Sequence, residues 1–198
     1  MQKLITVLIC FHLSFSACAI PANPDKTSHL IDAALAQTQT RVTYNGAYFK
    51  IPYPNGDVPA EFGVCTDVVI RAYRKLNIDL QQLVHEDMRK DFLRYPAEKI
   101  WGQHKTDSNI DHRRVPNLQT FFSRFGKTLP ISASGEDYQP GDLVTWFVSG
   151  NLPHIGIVTD RKSDDGKRPL IVHNIGVGPQ LEDMLFEYKI TGHYRYGL

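Results

Sequence analysis

Cysteine is scarce in this chain, with three in 198 residues: Cys10, Cys18 and Cys65. Two of them fall in an N-terminal stretch laid out as a secretory signal: basic Lys3, an apolar run from Leu4 to about Phe15, and small residues Ser16-Ala17-Cys18-Ala19. With cleavage after Ala19, Cys65 is the one thiol left, and a lone thiol excludes an internal disulfide framework. Long apolar runs are missing too. The signal run is too short for an ordinary membrane-spanning helix and nothing later is longer, so no transmembrane segment is expected. Neither sign of charge is in excess: 22 Lys+Arg face 21 Asp+Glu, and loss of residues 1–19 removes Lys3 and leaves 21 against 21. That balance gives no electrostatic case for nucleic acid or an anionic membrane. Internal repeats and low-complexity tracts are absent. His112, His154 and His173 with nearby acids are the available zinc donors, but no H-x-x-x-H, H-E-x-x-H or C-x-x-C spacing occurs. No glycine-rich phosphate loop follows a strand pattern. Neither a metal nor another cofactor is expected.

What is present suits one domain of about 180 residues with a proper core. The expected division is a signal over 1–19, a leader and helix over 20–42, and a single catalytic domain over 43–198. The expected location is the periplasm or outside the cell. The alternative processing reads Phe15-Ser16-Ala17-Cys18 as a lipoprotein signal with Cys18 lipidated, although Phe15 replaces the usual Leu.

Leu30, Ile31, Ala34 and Leu35 space one apolar helix face. Thr43 to Pro59 reads as loops and short extended pieces. Cys65 to Leu76 is the clearest helix, with Val68, Val69, Ala72, Tyr73 and Leu76 on one face and bases toward its C-terminal end. Further helices are expected over Leu80–Phe92 and Asn117–Phe125, with an irregular polar stretch over Pro96–Arg114 between them. After Pro140-Gly141 the pattern changes to β-prone runs at 143–148, 155–158, 170–173 and 188–196, separated by Ser149-Gly150-Asn151 and Asp164-Asp165-Gly166. Helices first and an antiparallel sheet later predict an α+β fold.

Cys65 opens its helix, where the positive end of the dipole and free N–H groups are expected to lower a thiol's pKa. Asp67 opposes this; it either caps the helix or meets a positive group on a substrate. His154 stands at the mouth of a strand and has the pKa range of a general base. His173 lies on the next strand across a hairpin, so the two imidazoles share one face and His173 orients His154. Asn174, the competing orienter, points to the opposite face. Tyr53 is a candidate to help hold an oxyanion, with backbone N–H groups around Cys65 the safer donors. In Asp111-His112-Arg113-Arg114, His112 and the arginines are candidates to grip substrate carboxylates. For each residue the plain alternative is packing: a buried core cysteine, structural strand histidines, a wall tyrosine and a solvated loop.

Val64-Cys65-Thr66-Asp67, Pro140-Gly141-Asp142-Leu143-Val144-Thr145-Trp146, Pro153-His154-Ile155-Gly156-Ile157-Val158 and Ile171-Val172-His173 resemble, in order, the motifs of NlpC-type papain-like cysteine peptidases. From about Thr43 onward the chain resembles a bacterial exported family filed as domain of unknown function 1287. Gly63 to Asp67, Asp111 to Leu118 and Thr191 to Tyr196 carry that closer match. The resemblance implies a papain-like fold with Cys65 as nucleophile, His154 as base and His173 as third residue. It also implies cleavage of an amide bond in peptidoglycan stem peptides, often a γ-D-glutamyl link. Two departures mark this chain: Val64-Cys65-Thr66-Asp67 replaces Asp-Cys-Ser-Gly, and a longer segment separates Cys65 from His154. An inactive cell-wall or periplasmic binding module and an acyltransferase are the rival readings.

Overall fold

The computed structural model describes residues 24–198. The expected signal over 1–19, Cys18 with its alternative lipid anchor, and the first part of the leader lie outside the described residues. Helix α1 (Pro24–Gln37) turns Leu30, Ile31 and Ala34 inward, as their spacing predicts. Two short strands, β1 (Thr43–Tyr44) and β2 (Phe62–Gly63), pair in parallel and bracket the turn-rich segment. Helix α2 (Cys65–Arg74) buries Val68, Val69, Ala72 and Tyr73. Helix α3 (Leu80–Lys90) begins where the Asp79 carboxylate accepts the Gln81 N–H at 3.1 Å, and it stops short of Phe92, which starts a 3₁₀ turn.

The stretch expected to be irregular contains α4 (Ala97–Trp101), closed by Gly102 at φ 62°, and a 3₁₀ turn over Asp111–Arg113. Both are too short to leave a periodic signal. Helix α5 (Val115–Phe125) accommodates Pro116 in its first turn, where no intrahelical N–H is needed.

The sheet comprises β3 (Lys127–Thr128), β4 (Leu143–Val148), β5 (Leu152–Lys162), β6 (Pro169–His173), β7 (Gln180–Glu182) and β8 (Lys189–Arg195). Its order is β3-β8-β4-β5-β6-β7, with every neighbouring pair antiparallel. On one face Leu143, Ile155, Ile157 and Val172 join the helix core. On the other, Val144, Trp146, Val158 and Ile171 pack with Tyr138, Met184 and Leu185. The fold is α+β, helices laid on an antiparallel sheet.

Two of the distinctive sequence motifs brace each other. Asp142 is fully buried; His193 Nε2 donates to it at 2.8 Å, and Arg195 donates at 2.6 and 3.0 Å. Asp142's own carbonyl accepts the Val158 N–H, tying the strand that carries His154 to the same post.

Candidate active site

Cys65 is placed by a frame of buried polar contacts. The Val64 N–H donates to the Asp67 carboxylate at 2.7 Å, closing the first turn of α2. Asp67 then forms a two-pronged ion pair with Arg113 at 2.9 and 3.0 Å, both side chains about 97% removed from solvent. Arg113 donates further to the Ala47 carbonyl, and Thr66 Oγ1 donates to the Arg113 carbonyl. Asp67 is therefore the helix cap of the two expected roles. Arg113, expected to grip substrate, is committed to Asp67 and so braces the helix that Cys65 opens.

The thiol itself is 5% exposed. Burial pushes its pKa up to about 12, and the Asp67 charge adds to this. The backbone N–H groups at Ile155, Thr66 and Cys65 act in the lowering direction without overcoming burial. The expected lowering by the helix start is overturned because desolvation of a thiolate outweighs three dipolar contacts.

His154 and His173 stand on neighbouring strands and face the same side, with His154 Nε2 3.0 Å from His173 Nδ1 and the rings edge to face. Bare Gly156 makes this possible. A Cβ there would lie 2.5 Å from Ile171 Cγ2 and 3.2 Å from His173 Cβ, so the space belongs to β6. His173 Nε2 continues the chain to Glu182 Oε2 at 2.8 Å. Burial lowers the pKa of His154 to about 3, reinforced by His173. For His173 burial also lowers the pKa, against the raising effects of Glu182 and then Glu187.

Cys65 and His154 meet this strand differently. The histidine lies beside Trp146, its cross-strand partner, while the thiol touches the N–H of Ile155, one residue further on. No hydrogen bond joins sulfur to imidazole, and His154 Nδ1 has no hydrogen-bond partner among the described residues. Catalytic hydrogen bonds commonly tighten only when substrate is bound. A cleft of about 630 Å³ runs past Pro153, the residue before His154, between Ile100, Pro116, Phe147 and Tyr194.

The remaining candidates disperse. Tyr53 stacks edge-on against His85 at 5.1 Å, away from the thiol's contacts. His112 is buried with Nδ1 unpartnered; burial, then Arg74 and Arg113, lower its pKa to about 3. Arg114 packs its guanidinium 4.0 Å over Trp101. Asn174 points away from His173 as expected, and its Nδ2 donates to the Gly63 carbonyl two residues before Cys65.

Two residues join the site that sequence reasoning did not single out. Glu182 ends the histidine chain from a three-residue edge strand too short to register as a pattern. Tyr44, half-exposed on β1, pairs with Gly63 two residues before Cys65, and burial is the main cause that raises its pKa. Its pairing with β2, one strand residue before Val64, was invisible in sequence. Among the described residues no three His, Cys, Asp or Glu side chains converge as a metal ligand set, and no helix is long and apolar enough to cross a membrane.

Comparison with known proteins finds a match to the family model described as "Domain of unknown function (DUF1287)" over residues 31–196. A relative from Escherichia coli (strain K12), "Uncharacterized protein YijF", is 53% identical over 167 residues, 84% of this chain and 80% of the relative. A crystal structure described as "similar to lipoprotein, NLP/P60 family", from Staphylococcus aureus subsp. aureus Mu50, aligns with 91% of this chain at 14% identity and a TM-score of 0.41. This chain spans 44% of that protein's length.

Proposed function

The chain belongs to the family described as domain of unknown function DUF1287, and we propose that it is an exported, papain-like cysteine hydrolase that cleaves an amide bond in peptidoglycan stem peptides. One observation carries the reading. A thiol at the first turn of a helix faces the strand β5, which carries a histidine already hydrogen-bonded to a second histidine on β6. Packing alone has no need for two buried imidazoles in series beside a buried thiol. The substrate class follows from the resemblance of the four motifs and from the signal-like N-terminus.

Both reacting groups are neutral in this reading. As sulfur attacks the carbonyl carbon, the thiol proton passes to His154 Nδ1 and the carbonyl π pair moves to oxygen. The resulting oxyanion is stabilised by the Cys65 and Thr66 N–H groups, which face the sulfur side of the helix start. Collapse breaks the C–N bond, and His154 gives its proton to the departing amine. Water, deprotonated by His154, then splits the thioester to free acid and thiol. Mass-spectrometric analysis of defined stem peptides tests this: wild type releases the shorter peptide, and Cys65→Ala releases none. Full cleavage by Cys65→Ala sinks the proposal.

The buried thiol with no hydrogen bond to His154 favours one second reading, a binding module that kept the scaffold and lost turnover. Its mark is stem-peptide binding by wild type and Cys65→Ala alike, without cleavage by either.

A further inference from the structure

We propose that Glu182 is a positioning residue that sets the tautomers of both histidines and so keeps the lone pair of His154 on Nδ1, the nitrogen that takes the thiol proton in the hydrolase reading. The inference rests on the hydrolase reading for its consequence but not for its geometry. A carboxylate accepts hydrogen bonds and does not donate them. Glu182 Oε2, 2.8 Å from His173 Nε2, therefore keeps the proton of neutral His173 on Nε2. His173 Nδ1 is then an acceptor, and across 3.0 Å it takes the Nε2–H of His154. His154 is left with its lone pair on Nδ1, the nitrogen free of partners among the described residues.

Without the carboxylate the chain has no direction. His173 can place its proton on Nδ1 and donate to His154 Nε2, which moves the His154 proton to Nδ1 and removes the base. Two histidines in series carry this ambiguity; an acceptor at the far end resolves it.

The other groups facing His173 do not substitute. His154 is the far partner in the chain. Asp183 is occupied by Arg168, at 2.9 Å from Nε to Oδ1. Glu187 and Tyr188 line the same cavity of about 480 Å³ but make no hydrogen bond to the ring. Glu187 affects His173 through its charge alone. The Glu182 side chain is 49% exposed on an edge strand, so replacing it leaves the core intact.

The test uses ¹⁵N NMR of the imidazoles in purified wild type, Glu182→Leu and Glu182→Asp at pH 7, with stem-peptide hydrolysis measured in parallel. In wild type both histidines should show the Nε2–H form. In Glu182→Leu the His154 signal should move to the Nδ1–H form or to a mixture, with kcat down about 10- to 100-fold and KM little changed. Glu182→Asp should restore both tautomer and rate in part. Unchanged tautomers in Glu182→Leu overturn the inference whatever the rate does. A tautomer change in a protein whose Cys65→Ala variant still cleaves peptide upholds the positioning role and overturns the hydrolase reading instead.

Discussion

Alkylation of Cys65 as a function of pH reads the neutral resting state directly. Burial moves the thiol from an ordinary value of 9.0 to about 12. At pH 7 the thiolate fraction then falls from about 1% to about 0.001%, roughly a thousandfold. His154 is held down at about 3, so no imidazolium is present near neutrality to stabilise a thiolate. The assay is iodoacetamide labelling from pH 5 to 10, quantified by mass spectrometry on the peptide that contains Cys65. The expected rate at pH 7 is about a thousandfold below that of a small free thiol and rises about tenfold per pH unit without an acidic plateau. His154→Ala should leave this profile unchanged, because in a neutral pair the histidine acts during attack and not before it. Fast labelling below pH 7 that disappears in His154→Ala would show a preformed ion pair and refute the argument that burial dominates both groups.

Three further outcomes follow from the same frame. Arg113→Ala should cost about 3–5 kcal/mol in urea unfolding, since it strands the Asp67 carboxylate; Asp67→Ala combined with it should cost less than the two single changes together. Gly156→Ala should cost about 1–3 kcal/mol and reduce activity further than stability explains, because its methyl group competes with Ile171 Cγ2 and His173 Cβ for one space. Stability should fall in mild acid: His112 and His154 have folded pKa values near 3 against an ordinary 6.5, so between those values the unfolded chain binds more protons and gains on the native state. From pH 7 to pH 5 the two together imply a loss of about 4 kcal/mol, and His112→Asn should halve that slope. Burial raises the Asp111 pKa, and that carboxyl acts in the opposite sense from below. A flat profile over this range in urea titrations would contradict the buried neutral histidines.

The parts of the site legible in sequence are those written by period. His154 and His173 could be placed on one face because strands alternate, and Asn174 on the other for the same reason; 3.0 Å between the rings is the outcome of that count plus a correct hairpin. The start of α2 was legible because a capping carboxylate and an apolar face of 3.6-residue period both begin at Cys65. What failed was environment. A helix start lowers a thiol's pKa only while water still solvates the thiolate, and the burial of Cys65 is set by tertiary packing against a sheet that begins far along the chain. Arg113 looked like a substrate clamp for the same reason: a charged run in an irregular stretch gives no hint that its partner is Asp67. The end of the relay was invisible because Gln180-Leu181-Glu182 becomes a strand only by pairing with β6, which no local propensity in three residues dictates. Long-range pairing thus decides both how His154 is oriented and how far the thiol is desolvated, and the two effects are linked. The packing that orders His154 against His173 and Trp146 also strips it of water, so an imidazole held this firmly on this strand is necessarily a weakly basic one.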